Sequence, residues 1–558
     1  MYLKKLWIFK NMSMQKKLCL VGHECGYYKG QGGIATYIEH TAKGFSKLGY
    51  DVHVIFLHGS ELDVPGITSW KIKDQLSIFK NSKAIDEVLE KIKPDVVEST
   101  DFLGLVSYTL SKRARVGLSY NCKFINNNHT AIREVWEWGT NLDFFGCCPN
   151  WMAEIHQYER AQAILSDANF STSTFLSNYL SSQYETTVQT CPSYYELKKN
   201  IDDRNNHYSS TSLKILSLGR FELRKKQELL IKASCKLIKE GYDLHVTLIG
   251  NSGDNFYNRK DYMDSCYSLI PISMKKNFSF FDFMPYKELQ KHYQDYDLFV
   301  IPSPYENFPN TALEAISYGV AVAGSLTSGI ADMVGPTAND MCFEKNSVSS
   351  MKQVILNYYG MSQEERSRVR QSQRESLDAL VSFDNAIVKR IKMYEDVPAK
   401  SHEKTVLPEK CLIITKASDG TLNKVYSQGE SYHIDNNDNF ALFNNAEYVI
   451  ITPEDNIEKI DLNNNYYPEA KVVSAFSHHV PYGTIMDINC ARKAFSKITL
   501  YVGDHKMDED STISEAVAHL LLDSRDVIFF QDQTSQTEQG LGVDIMYQID
   551  LLRYKFHG

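Results

Sequence analysis

DLFVIPSPYENFPNTALEAISYG, residues 297–319, reads as an apolar strand, a polar loop and a helix in direct succession. That succession is the repeating unit of a doubly wound α/β layer, in which each helix packs back on the sheet. Ligands of such sheets collect beyond the carboxyl ends of the strands, where helix N-termini offer unpaired N–H groups and a partial positive charge. Glu306 falls in the loop, and Glu314 in the first turns of a helix that begins near Pro309. Purely structural explanations stay open for both acids. Thr311 and Glu314 have capping-box spacing, and a loop acid such as Glu306 is often simply solvated.

Working outward, the strand-like runs KILSLG, HVTLIG, NFSFFDF, DLFVIP and VAVAG alternate with helical patterns over residues 213–397. A similar series, KLCLVG, VHVIF, DVVEST and KFINNN, occupies residues 16–200. After Gly33, the residues Ile34, Ile38, Ala42, Phe45 and Leu48 recur at near-helical spacing, and Gly49 supplies a left-handed stop before the next strand. Two Rossmann-like halves are implied. Polar turn formers at 201–212 read as the linker between them, and the charged, Pro-containing stretch at 398–409 as a second linker. Residues 1–15 form a short lead-in, and 410–558 are enough for an additional α/β or α+β domain.

A chain of 558 residues exceeds one ordinary core. Its 43% hydrophobic and 23% charged composition is that of a soluble globular protein, with no apolar run long enough to cross a membrane. The net charge of -9 and the lack of a Lys/Arg tract exclude a general nucleic-acid binder, so anionic ligands must be met locally. The 11 cysteines are scattered without a CxxC pair, which fits a reducing cytoplasm and no zinc site. MYLKKLWIFK at the start has no long apolar region or cleavage site, yet its charge and aromatic residues suit a peripheral membrane contact.

Three further segments can carry chemistry. In LGRFELRKKQELLIKA, Arg220 follows a strand and Lys225 stands near the start of the next helix. A bidentate Arg and a Lys there suit a diphosphate that gathers negative charge as it leaves; Arg224 and Lys226 read as a solvated basic face. In KGQGGIATYIEH, Gly32 and Gly33 permit close approach of backbone to phosphate or sugar, although glycines are common in such turns for steric reasons alone. In NNNHTAIREVWEWG, His129 and Thr130 follow a strand, where a histidine can bond a sugar hydroxyl or merely satisfy the core. Arg133, Glu134, Trp136 and Trp138 offer sugar-like surfaces or core equally.

These segments, in this order, closely resemble glycosyltransferase family 4, the retaining enzymes of the GT-B fold, over residues 16–397. The resemblance rests on GGIATYIEHTAKGFSKLGYDVHV, GRFELRKKQELLIKA and FMPYKELQKHYQDYDLFVIPSPYENFPNTALEAISYGVAV. It implies that Glu314 binds the donor ribose and Glu306 the transferred sugar, that Arg220 and Lys225 hold the diphosphate, and that His129 lies beside the sugar. It further implies a donor-binding loop of Asn307, Phe308, Pro309, Asn310 and Thr311, with backbone N–H groups from all of these but the proline, and a base flanked by Phe283 and Met284. Many members carry EGFG where this chain has ENFPN, so the donor sugar is open.

The implied reaction moves a sugar from a UDP- or GDP-sugar to a glycan or lipid-linked acceptor, as in cell-surface polysaccharide assembly. No cofactor is implied, and no metal, because a DxD pair is absent from the expected sites. A sugar-nucleotide epimerase, a glycosyl phosphorylase and a noncatalytic sugar-nucleotide-binding scaffold are the competing readings. Residues 410–558 lie outside the pattern; they resemble the later half of a GT-A glycosyltransferase, with Glu454 and Asp455 as a metal-binding pair, or else form an accessory domain with solvated acids.

Overall fold

The computed structural model describes residues 16–26, 33–129, 131–140, 150–184, 187–198, 212–250, 260–282, 284 and 286–398, and seven strands between 411 and 531. The lead-in at 1–15, nearly all of both linkers, and Gly32, Thr130, Phe283, Glu454 and Asp455 lie outside the described residues. The chain divides into two compact units. Unit 1 holds residues 1–71, 127–142 and 168–397; unit 2 holds 72–126, 143–167 and 398–558.

Two Rossmann-like α/β domains on parallel sheets occupy residues up to 397, as the alternation of strands and helices implies. The first contains β1 (Lys17–Cys25), β2 (Asp51–Gly59), β3 (Ile67–Lys71), β4 (Val96–Thr100), β5 (Lys123–Asn128), β6 (Ala168–Ser171) and β7 (Val188–Thr190). In unit 1, β1 runs parallel to β2 with Lys17 opposite Asp51, β2 is parallel to β3, and β6 is parallel to β7. The helix Gly33–Ser46 crosses between β1 and β2, and Gly49 follows it at φ 83°, a conformation that costs a glycine little. In unit 2, Gln162 is fully buried and ties β4 to β5, donating to the Thr100 carbonyl at 2.9 Å and to Asn126 Oδ1 at 2.7 Å.

The second domain contains β8 (Leu213–Leu218), β9 (Leu244–Ile249), β10 (Phe278–Phe281), β11 (Leu298–Val300), β12 (Ala321–Ser325) and β13 (Cys342–Phe343), in the order β10-β9-β8-β11-β12-β13. Its central strands β11 and β12 are buried on both faces, as a parallel sheet requires. Leu298 and Val300 join one apolar cluster with Ile215 and Val246, while Phe299 and Ile301 join the other with Leu216 and Val322. Period-two alternation thus divides each strand between two cores.

The face of helix Gly33–Ser46 is buried more widely than a single stripe against one sheet, with Tyr37, Thr41 and Gly44 covered too. The cause lies at the end of the second domain. After Phe383 the chain crosses back to the first, so that Ile387 fills the space beside Gly44 and Tyr394 stacks between Phe45 and Phe170. Arg390, 1% exposed, donates to Tyr37 Oη at 2.7 Å and to the carbonyls of Cys191 and Pro192 at 3.2 Å each.

In the C-terminal region the described strands form one seven-stranded mixed sheet. Tyr448–Pro453 lies at its centre, beside Cys411–Lys416, which is parallel to it and antiparallel to Leu422–Ser427.

Candidate active site

The loop after β11, residues 301–309, is buried through Asn307 and carries Glu306 at its turn. Its position is fixed from beneath by Gly329, whose N–H donates to the Glu306 carbonyl at 2.8 Å. A Cβ at Gly329 would stand 1.6 Å from the Asn307 carbonyl oxygen, so only glycine permits this approach. The apolar residues around the loop are Trp138, Phe175 and Tyr305, with Trp138 and Tyr305 ring centroids 4.2 Å apart. Trp138 therefore packs, half-buried, against the loop, and Arg133 is paired with Glu137 at 2.9 Å.

After β8 the chain makes a short 3-10 turn, Leu223–Lys225, and Lys226 then takes a left-handed conformation at φ 52°. This turn, and not a helical face, decides which of the basic residues point inward. Leu223 is 43% exposed, whereas the side chains of Arg224 and Lys225 are 14% and 19% exposed. Lys225 Nζ donates to Glu306 Oε1, and Arg224 stands 3.8 Å from the same oxygen. Arg224 also donates to Glu222 Oε1 at 2.8 Å, and Arg220 approaches Glu222 Oε2 at 3.8 Å. Arg220, 57% exposed, lies at the open end of this chain of three cations and two acids.

Burial by itself would raise the Glu306 carboxyl, but the charges of Lys225 and Arg224 and the hydrogen bond from Lys225 outweigh it and hold Glu306 below its ordinary range. Burial and the neighbouring Arg224 draw Lys225 below the usual lysine range, against the pull of Glu306. At neutral pH Glu306 is a carboxylate, able to accept hydrogen bonds and not to give a proton.

Glu314 takes a separate position on the helix Asn310–Ser317, which begins directly after Pro309. Pro309 is its N-cap, and no side chain caps it, so the capping box open to Thr311 and Glu314 does not form. Glu314 Oε2 instead accepts from the Tyr293 hydroxyl at 2.7 Å. Burial pushes its carboxyl up to about 7 despite that hydrogen bond. The unfolded carboxyl has its ordinary value near 4.5, so the native state holds the extra proton between the two, and stability falls as pH rises through that window. The full difference amounts to about 3 kcal/mol. Thermal midpoints of the ligand-free protein are expected to decline between pH 5 and 8, and Glu314→Gln to flatten the decline; equal slopes would disprove it.

The remaining candidates are distributed around the loop. Gly33 begins its helix with its carbonyl 3.5 Å from Asn310 Nδ2. The His129 carbonyl accepts from Asn307 Nδ2 at 2.8 Å, and the imidazole packs edge-on against Tyr37 with ring centroids 4.5 Å apart. Burial and the charge of Arg390 lower His129 to about 3, so the ring is neutral. Met284 and Phe308 are half-buried against the apolar cluster that includes Leu289 and Leu313.

Arg224 and Glu222 are the residues that the sequence pattern did not single out; an acid two residues before the RKK run was their signal. No group of three or more potential metal ligands occurs among the described residues. Among the same residues, no helix is long and apolar enough to cross a membrane.

The family model described as Glycosyl transferases group 1 matches residues 198–376, and that of Glycosyltransferase Family 4 matches 31–185. An uncharacterized glycosyltransferase of Methanocaldococcus jannaschii is 29% identical over 185 residues, covering 32% of this chain and 44% of that protein. The match thus spans less than half the length of that relative. Among solved structures, sucrose-phosphate synthase from Thermosynechococcus elongatus superposes with a TM-score of 0.55 at 16% identity, over 68% of this chain and 98% of its own. A mutant of S. aureus TarM, in complex with fondaparinux, alpha-GlcNAc-glycerol and UDP, gives 0.52 at 11% over 68% and 100%. The catalytic domain of starch synthase IV from Arabidopsis thaliana, bound to ADP and acarbose, gives 0.51 at 13% over 69% and 99%. These structures share the fold. The two family models lie side by side over the two Rossmann-like domains, and the chain belongs to the family 4, group 1 glycosyltransferases of the GT-B fold.

Proposed function

We propose that the protein transfers a sugar from a UDP- or GDP-sugar to a hydroxyl of a glycan or lipid-linked acceptor, with retention of configuration. The carrying observation is the junction of Lys225, Arg224 and Glu306 beyond the carboxyl ends of β8 and β11. Two structural neighbours hold a nucleoside diphosphate, UDP in one and ADP in the other, which fits a donor of this kind.

In this reading Lys225 and the exposed Arg220 meet the diphosphate, and the side-chain-uncapped start of helix Asn310–Ser317 adds N–H groups and dipole. Charge gathers on the phosphate oxygen as the bond to the anomeric carbon breaks, and preorganised cations stabilise it most in the transition state. The acceptor oxygen bonds to the same face of that carbon while its proton passes to the departing phosphate. Glu306, a carboxylate, accepts hydrogen bonds from the sugar hydroxyls, and Glu314 accepts them from the ribose. His129, being neutral, serves as a hydrogen-bonding group beside the sugar. The protein acts at the cytoplasmic face of a membrane, in assembly of a cell-surface glycan.

A screen of UDP- and GDP-sugars by thermal shift and by acceptor-dependent nucleotide release tests this directly. One donor is expected to raise the midpoint and to turn over, and to do so in EDTA because side chains supply the positive charge. Stabilisation by none of them, with no turnover, would reject the reading. An absolute requirement for free phosphate would point to a phosphorylase.

A further inference from the structure

Asn307 stands next to Glu306, yet its side chain faces away from its own domain. Its Nδ2 donates to the carbonyls of His129 at 2.8 Å and Asn128 at 3.3 Å, and its Oδ1 accepts from Ser173 Oγ at 2.7 Å. All three partners belong to the first Rossmann-like domain within unit 1. The amide orientation is determined by them, since a reversed amide would set its oxygen against two carbonyls. Asn307 and Ser173 are buried at 6% and 0% exposure. Two further ties join the same segments. The Thr174 N–H donates to Asp332 Oδ2 at 2.7 Å, and Asn310 Nδ2 lies 3.5 Å from the Gly33 carbonyl.

We propose that Asn307 is a positioning residue that latches the Glu306 loop to the first domain, so that closure of the two domain segments of unit 1 and placement of Glu306 are one event. The inference rests on the glycosyl-transfer reading of the site. Gly329 holds the loop from its own domain and Asn307 holds it from the opposite one, so Glu306 sits at the middle of a segment anchored at both sides. When the segments part, the carbonyls of Asn128 and His129 and the Ser173 hydroxyl meet water. Loss of the Asn307 amide is therefore felt by the closed arrangement alone, where these groups are dry. Binding of the nucleotide, which the proposed function places on the second domain, does not need the latch. Turnover and exclusion of water do.

The experiment compares wild type with Asn307→Ala, Asn307→Asp, Ser173→Ala and the double alanine variant. Asn307→Ala is expected to lower kcat about 10- to 100-fold, to leave affinities for UDP or GDP within about threefold, and to raise the share of donor lost to hydrolysis. The double variant should lower kcat no further than Asn307→Ala, because the Ser173–Asn307 bond is already gone, while the hydrogen bond that Ser173 Oγ accepts from the Leu176 N–H at 3.2 Å is lost with or without Asn307 and shows in the thermal midpoint. Asn307→Asp should lose activity further as pH rises, since its carboxylate then faces two carbonyls, and recover in part when protonated. A kcat within twofold of wild type with unchanged hydrolysis would overturn the latch, as would equal losses of nucleotide affinity and turnover. Small-angle scattering supplies an arm that needs no catalysis. A larger radius of gyration for Asn307→Ala than for wild type supports the latch, and identical curves refute it, even if wild type transfers no sugar and the functional reading itself fails.

Discussion

Lys225→Ala is expected to lower acceptor-dependent sugar transfer about 100- to 1,000-fold while the protein stays folded. Among the described residues, the lysine is the one cation in hydrogen-bond contact with Glu306, and in the proposed reaction it meets the diphosphate as negative charge builds there. An interaction stronger in the transition state than in the ground state acts on kcat, so the loss should appear there more than in the KM for the donor. Glu306 would not be left as an isolated buried charge, because Arg224 remains 3.8 Å from the same oxygen. That residual pairing explains why stability should fall only modestly although a buried partner has been removed. Nucleotide release with and without acceptor, measured beside the thermal midpoint, checks both halves of the expectation. Wild-type turnover in a folded Lys225→Ala protein would remove Lys225 from the site.

The largest effect on stability is expected from Arg390→Ala. This side chain donates to the Tyr37 hydroxyl and to the carbonyls of Cys191 and Pro192 from a position 1% exposed; its removal leaves a void lined by those groups, in which Tyr37 keeps its bond from Asn127 Nδ2 at 2.6 Å while the two carbonyls lose the guanidinium. Unsatisfied buried polar groups cost about 1–3 kcal/mol each and the cavity adds its own term, so a total loss of about 3–5 kcal/mol is expected. Urea unfolding, with the slope compared as well as the midpoint, measures it. Arg390→Lys should recover only part, since one ammonium cannot reproduce the planar fork that reaches hydroxyl and carbonyls together. A midpoint unchanged in Arg390→Ala would show that the network contributes nothing net.

Much of this arrangement is legible from residue order alone. The strand, loop and helix of 297–319 form as their pattern indicates, because the apolar strand residues alternate between two cores and Pro309 starts the helix. The pairing of Lys225 with Glu306 follows once both loops are placed at the same ends of adjacent strands. What periodicity could not show is the direction of side chains in irregular segments. Arg224 looked like part of a solvated basic face, yet the 3-10 turn and the left-handed Lys226 carry it inward. Thr311 and Glu314 had capping-box spacing, but the helix begins at Asn310, two residues too early for Thr311 to cap it. Asn307 was read as a backbone donor to a ligand, and its side-chain partners, some 130 to 180 residues away in sequence, leave no trace in local pattern. Arg390 and Tyr37 escaped for the same reason.

The return of the helix Lys389–Asp396 to the first domain also bears on synthesis. Ile387, Arg390 and Tyr394 complete the packing around Gly44, Tyr37 and Phe45, so a segment begun at the first strand is finished only by residues near the end of the second domain. During translation the ribosome must release more than 300 further residues before those side chains become available, which at about 5–20 residues per second is a wait of roughly 15 to 70 seconds. Through that interval the helix face that Ile387 and Tyr394 later cover at Gly44 and Phe45 stays open to other contacts.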